Sequence, residues 1–204
     1  MEIKTLEKIV EKVSKFDCKL LPVVKNQDLK NIQKLVDFGI NDLGENRVKE
    51  LDVHKEFFPD LNYHFIAPLQ SRKISDVLSR CTSIHSVSRI KELDIISKYY
   101  LNQNIFIQVN VDNDPNKSGL DKKDLTVFIK HAETKGIHPK GLMCIPNIDS
   151  DRKLVFSEMQ KINEDLKKNF IKYPGELSMG MSNDYEVALD YGATIVRIGS
   201  KIFL

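Results

Sequence analysis

The sequence predicts an α/β fold, a closed (β/α)8 TIM barrel forming a single domain over residues 1–204. Three observations carry that expectation. Short apolar runs alternate with longer stretches of helical period, which is the pattern of a parallel sheet wrapped by helices. The runs number eight, the count at which such a sheet closes on itself. Two Gly/Ser turns, Ser178-Met179-Gly180-Met181-Ser182 and Arg197-Ile198-Gly199-Ser200, stand at the ends of the last two runs, and barrels of this kind commonly hold phosphate there.

In chain order, residues 2–16 place Leu6, Ile9, Val10 and Val13 at amphipathic-helix spacing. The strands are expected at 18–24, 41–43, 63–66, 83–86, 105–111, 141–145, 176–179 and 194–198. Helices are expected to begin near Asp28, Asn46, Gln70, Ser88, Asp121, Ser150 and Asn183, several of which carry a side chain suited to cap a first turn. Gly39, Gly136 and Gly192 read as helix stops. Almost nothing follows the eighth run, so the leading helix is expected to cover the place of a last barrel helix, with no room for a second domain. Pro22 lies inside the first run, where it removes a ladder donor, and a bulge is the expected accommodation.

Composition narrows the function. With 31 Lys+Arg against 29 Asp+Glu, no basic excess is present to drive phosphodiester binding, so nucleic acid is not an expected partner. No apolar run is long enough to span a bilayer, and the opening segment does not read as a signal peptide. Cys18, Cys81 and Cys144 are odd in number and far apart, as expected of reduced thiols in a cytoplasmic protein. The three cysteines and five histidines share no metal-ligand spacing. Position 184 is Asp, so Gly180-Met181-Ser182 does not continue as a nucleophile elbow.

The two Gly/Ser turns suit an anion held without lysine, by backbone N–H groups and hydroxyls that glycine lets close in on one point. Ser182 reads equally as the N-cap of the following helix, a position that is itself an anion site. Far upstream, the run Leu20-Leu21-Pro22-Val23-Val24 ends abruptly in Lys25. In a closed barrel the first and eighth strands are neighbours, so this amine and the cradle come together. An amine beside a phosphate cradle is the arrangement of a Schiff-base cofactor site. His64 reads as a hydrogen-bonded core residue, and Lys117-Ser118-Gly119 lacks the upstream glycines of a P-loop.

Ordered blocks along nearly the whole chain carry a resemblance. They are Val23-Val24-Lys25, Gly44-Glu45-Asn46, residues 64–73 (HFIAPLQSRK), Gln108-Val109-Asn110, Lys117-Ser118-Gly119, Gly141-Leu142-Met143, residues 179–182 (MGMS) and Val196-Arg197-Ile198-Gly199. In these the chain resembles the YggS/PROSC group, the pyridoxal phosphate homeostasis proteins. The resemblance implies a barrel similar to the N-terminal barrel domain of alanine racemase. It implies pyridoxal 5′-phosphate as cofactor, held as a Schiff base on Lys25, with Ser182, Gly199 and Ser200 at its phosphate and Arg197 facing its pyridine nitrogen. Asn46 and Met143 are expected to line the ring. Val24 stands where that group commonly has Ser, Ala67 where it has Gly, and Ser200 where it has Thr.

Three functions compete. The favoured expectation is a non-catalytic carrier and buffer of pyridoxal phosphate, a monomer that exchanges cofactor with apoenzymes. A small racemase-like enzyme is the alternative. It needs bases on both faces of the substrate carbon, and Lys25 supplies one. A Schiff-base aldolase acting on a phosphosugar needs further acid/base groups beside the amine, and none is evident.

Overall fold

The computed structural model describes residues 1–114 and 117–203. All eight predicted strands are present. In chain order the elements are α1 (Ile3–Val13), β1 (Lys19–Pro22), α2 (Leu29–Asp37), β2 (Asp42–Glu45), α3 (Val48–Phe57), β3 (Asn62–Phe65), α4 (Ile74–Leu78), β4 (Ser83–Val87), α5 (Ile90–Ile96) and β5 (Asn104–Gln108). They continue with α6 (Leu125–Thr134), β6 (Gly141–Met143), α7 (Arg152–Asn169), β7 (Glu176–Ser178), α8 (Tyr185–Asp190), β8 (Ile195–Ile198) and α9 (Ser200–Phe203). Every strand pair is parallel, in the order β1-β8-β7-β6-β5-β4-β3-β2. A bridge between Val23 and Gly44, with Val24 N–H donating to the Gly44 carbonyl at 3.0 Å, draws β1 against β2 and brings the barrel round on itself.

Pro22 is accommodated without the expected bulge. It pairs with Ile198 in an unbroken register from Lys19↔Ile195 onward. Lys19 and Val23 donate to β8, at the Thr194 and Ile198 carbonyls, while Val24 donates to β2. By that alternation the nitrogen of Pro22 faces the β1–β2 seam, where pairing starts just one residue later. The proline thus removes a donor where no ladder partner stood. The register shift in the sheet falls elsewhere, between β4 and β5 near Ile84 and Val87.

Helix boundaries follow local chemistry. Asp28 caps α2 by accepting from Asn31 N–H, and Asp151, one residue past the predicted Ser150, caps α7 by accepting from Lys153 and Leu154 N–H. Gly39, Gly136 and Gly192 stand just past α2, α6 and α8 with φ of +94°, +71° and +81°. The buried face of α1, made by Leu6, Ile9 and Val13, packs toward β1 and α9, and Lys12 reaches Glu186 of α8 at 2.5 Å. The leading helix therefore covers the ground beside the short α9.

The apolar core has two parts. Most of it lies between the sheet and the helices and includes Leu35, Leu51, Ile74, Ile84, Phe128 and Phe156. Each such side chain contributes about 1.5–3 kcal/mol by leaving water. A small second cluster fills the barrel interior: Leu21, Phe106, Met143 and Ile195, with Ile66 against them. The rest of the interior is polar. His64, His85, Ser178 and Arg197 occupy it, all of them buried.

Candidate functional site

Strand direction decides what reaches the mouth. Because all eight strands run the same way, the residues that follow them gather at one end: Lys25 after β1, Asn46 after β2, the 179–184 turn after β7, and Gly199 with Ser200 after β8. Lys25 is exposed, and its amine has no hydrogen-bond or ion-pair partner among the described residues. Neighbouring Asn26 is fixed: its N–H donates to Glu50 Oε2 at 2.9 Å, and its side-chain oxygen accepts from Arg47 at 3.1 Å. The backbone under Lys25 is anchored while its side chain is left unengaged.

The two Gly/Ser turns meet. Lys201 N–H donates to Ser182 Oγ at 3.3 Å, and Arg197 N–H donates to the Gly180 carbonyl at 2.9 Å. Gly180, at φ +91°, could not be replaced without strain, since an added Cβ would sit 2.6 Å from Ala188 Cβ. Gly199 lies so close to β1 that an added Cβ would stand 3.1 Å from the Val23 carbonyl oxygen. That contact joins the β8 turn to the segment carrying Lys25, as barrel closure requires. The N–H groups of Ser182, Gly199 and Ser200 have no backbone acceptor among the described residues, as expected where a chain leaves a ladder and opens a helical turn. Ser182 is not the N-cap of α8. That place belongs to Asp184, whose carboxylate accepts from Met181 N–H at 2.6 Å and pairs with Arg152 at 3.0 Å.

Arg197 lies within β8 with its side chain inside the barrel, 3% exposed. Its Nη1 donates to the Ser178 carbonyl at 2.5 Å and to Ser178 Oγ at 2.8 Å, and its Nη2 donates to the Cys144 carbonyl at 2.8 Å. Three of its five N–H groups are so engaged, leaving Nε–H and one Nη2–H. Burial lowers its pKa from the ordinary guanidinium range. Burial also pushes the Cys144 thiol up to about 12, so Cys144 is a neutral packing group. Met143 is fully buried in the interior cluster with Leu21, Phe106 and Ile195 and forms part of the floor. Asn46 is half-buried at the end of β2, and its Oδ1 is buried without a hydrogen-bond partner among the described residues.

Among the predicted site residues, Lys25, Asn46, Ser182, Gly199 and Ser200 surround the mouth, with Arg197 and Met143 beneath. Sequence reasoning missed Ser178 as the brace of Arg197 and missed His85, which is fully buried, bonded to Ser178 Oγ at 2.8 Å and stacked on Phe106 with ring centroids 4.4 Å apart. Strand alternation was the available signal. His85 shares a face with Ser83, between Ile84 and Val87, and a polar side chain on a strand buried on both sides has to have a partner. Lys117-Ser118-Gly119 is held to the barrel, with Gln108 donating to the Ser118 carbonyl at 3.0 Å and Lys117 to the Ile145 carbonyl at 3.3 Å.

The family model for the alanine racemase N-terminal domain matches residues 3–204. The chain is 32% identical over 213 residues to a pyridoxal phosphate homeostasis protein of Aquifex aeolicus, covering 98% of this chain and 93% of that one. It is 35% identical over 196 residues to one of Helicobacter pylori, covering 91% and 86%. Among solved structures it is similar to PipY of Synechococcus elongatus, without PLP (27% identity, TM-score 0.88, 98% and 99% of the two chains) and with PLP bound (25%, 0.88, 98% and 100%). The arginine decarboxylase of Paramecium bursaria Chlorella virus shares the fold, with 15% identity and a TM-score of 0.76, over 98% of this chain and 62% of that one.

Proposed function

This chain belongs to the pyridoxal phosphate homeostasis proteins, a family built on the alanine racemase N-terminal domain, and on that ground we propose that it binds pyridoxal 5′-phosphate at the barrel mouth and carries or buffers it without catalysis. The observation that carries the reading is the pairing of an exposed Lys25, without a partner among the described residues, with a Gly/Ser cradle and a buried arginine at one end of the barrel.

The residues fit the group. The unpartnered Asn46 Oδ1 is a ready acceptor for a ligand hydroxyl. At Gly199 a side chain would crowd β1, so the backbone there is open to close approach by an anion. Lys25 supplies the amine that holds the aldehyde as a Schiff base. Ser182, Gly199 and Ser200 hold the phosphate through hydroxyls and the N–H groups left open by their turns. Arg197 offers its remaining N–H groups to the ring nitrogen from below, and Met143 completes the floor. When bound, the cofactor supplies an electron sink to amino-acid chemistry. A permanent cation at the ring nitrogen disfavours a proton there and weakens that sink.

A carrier also fits the lack of an evident opposing base among the described residues. Racemisation requires a second proton-transfer group across from Lys25. The hydroxyls of Tyr63, Tyr173 and Tyr185 are engaged by Phe58, Asn163 and Glu186. Among the described residues no helix is long and apolar enough to cross a membrane; the proposed carrier is a cytoplasmic monomer that meets its client apoenzymes by diffusion.

Titration of pyridoxal phosphate into the purified protein is expected to raise a visible absorption band at one equivalent, and mixing with an apo-aminotransferase is expected to restore that enzyme's activity. Enzyme-dependent D-isomer, formed from L-amino acids and lost in Lys25→Ala, would replace the carrier with a racemase. No band would remove the cofactor reading altogether.

A further inference from the structure

The polar groups inside the barrel form one connected line. Asp42, at the start of β2, lies at the opposite end of the strands from Lys25. Its Oδ1 meets His64 Nε2 at 2.9 Å, His64 Nδ1 meets His85 Nε2 at 3.0 Å, His85 Nδ1 meets Ser178 Oγ at 2.8 Å, and Ser178 Oγ meets Arg197 Nη1 at 2.8 Å. The line crosses the interior from β2 and β3 through β4 to β7 and β8. His64, His85, Ser178 and Arg197 are each at least nine-tenths buried, while Asp42 is partly exposed.

We propose that Asp42, His64, His85 and Ser178 form a single hydrogen-bond chain of fixed direction that positions Arg197, and that Asp42 sets this direction from the far end of the barrel. The two ends leave little choice. A guanidinium can only donate, and a carboxylate can only accept. Ser178 Oγ accepts from Arg197, and since His85 Nδ1 is its one bonded acceptor among the described residues, its proton goes there. Burial, then His64, then Arg197 hold His85 well below its ordinary pKa, which keeps it neutral with one N–H. That hydrogen is on Nε2 and goes to His64 Nδ1, and the His64 hydrogen is on Nε2 and goes to Asp42. Each hydrogen in the line then has one acceptor. The reverse order would need His64 to carry hydrogens on both nitrogens, and would send the Ser178 hydroxyl to another acceptor. Among the described residues none is bonded to it beyond His85 and Arg197.

The direction is a property of the protein alone. Its consequence rests on the function proposed above: Arg197, held as a pure donor, presents a fixed cation to the ring nitrogen. His85, Ser178 and Asp42 are positioning residues, acting through Arg197 rather than on the ligand.

The test reads tautomers on cofactor-free protein labelled with 15N-histidine, by long-range proton–nitrogen correlation at neutral pH. Both His64 and His85 are expected as Nε2–H forms. Either one found as Nδ1–H, or His64 doubly protonated, overturns the chain. Asp42→Asn, on the exposed rim, folds with little disturbance and replaces an obligate acceptor by an amide that can also donate. It is expected to mix the tautomers of His85, one residue beyond its own contact. A change confined to His64 overturns control by Asp42. Ser178→Ala is expected to mix the His85 tautomers and, in protein loaded with pyridoxal phosphate, to shift the visible band, with Ser178→Thr restoring both. An unshifted band with mixed tautomers overturns the link to Arg197 and the ring, whereas absence of any band in the parent tells against the proposed function and leaves the tautomer result to decide on the chain.

Discussion

Lys25 and Arg197 are two cations at the same end of one barrel, supplied by strands that pair with each other, and their surroundings are opposite. Arg197 sits inside the β8 ladder, 3% exposed, its guanidinium held by two backbone carbonyls and a hydroxyl. Lys25 follows the last bond of β1 to its neighbours, is exposed and has no partner among the described residues. The difference follows from position along the strand. Within the ladder, a side chain that points inward must be satisfied by fixed groups. Past its end the backbone turns, here through Asn26 at φ +58°, and the side chain is released. A single fold thus supplies, at one end of the barrel, a fixed charge and an unengaged amine.

Lys25→Ala makes the sharpest break in this pair. The visible band is expected to vanish completely while stability changes by less than about 0.5 kcal/mol, since an exposed side chain without partners is removed. A spectrum and a melting curve on the same sample check both halves. Arg197→Leu is expected to do the reverse. It leaves the Cys144 carbonyl unpaired and takes one of two partners from each of the Ser178 carbonyl and Ser178 Oγ, at about 1–3 kcal/mol for a buried acceptor left unpaired, and urea unfolding should show a loss of at least that order. A variant as stable as the parent would mean that the arginine does not brace the floor.

The cradle divides along the same line between packing and contact. Gly199→Val should weaken cofactor retention severely, because its Cβ meets the Val23 carbonyl at 3.1 Å. Ser200→Ala deletes one exposed hydroxyl. A hydrogen bond to a charged group is worth about 1.5–3 kcal/mol, so dialysis should show roughly ten- to hundredfold weaker retention. Equal retention in both variants and the parent would place the phosphate elsewhere.

How much of this could be read from the sequence follows the same division. The strands and mouth turns were legible because each is marked locally, by an apolar run and by the Gly, Ser or Lys that ends it. Lys25, Gly199 and Ser200 could be placed together once eight strands implied closure. The brace beneath was not legible. His85 and Ser178 are bonded across the barrel between β4 and β7, and no local pattern links residues so distant. By sequence Ser178 reads with its turn, although it is the last residue of β7 and its side chain meets Arg197 inside the barrel. The bulge expected at Pro22 failed for a similar reason, because which neighbour a strand nitrogen faces depends on where the sheet has its seam. Ser182 lost the cap of α8 to Asp184, two residues on, a boundary that tertiary contact with Arg152 helps to set.

The smallest expected effect separates the two cations by pH. The Asp42 carboxyl is held below its ordinary 3.8, first by its hydrogen bond with His64, with desolvation opposing. The folded value is therefore lower than the unfolded one, so this group's contribution to stability is complete above about pH 4 and is lost as pH falls through the folded value. Glu45 works in the opposite sense. Burial raises its pKa above 4.5, so the stability linked to it is present at lower pH and lost as pH rises through the folded value. Asp42 is partly exposed, which keeps its effect modest. The melting temperature of the parent should exceed that of Asp42→Asn by a steady margin from about pH 5 to 7, and the margin should close below pH 4. Lys25→Ala should track the parent over the whole range, because nothing in the chain behind Arg197 touches it. A margin independent of pH down to 3 would show that the Asp42 charge does not contribute through His64.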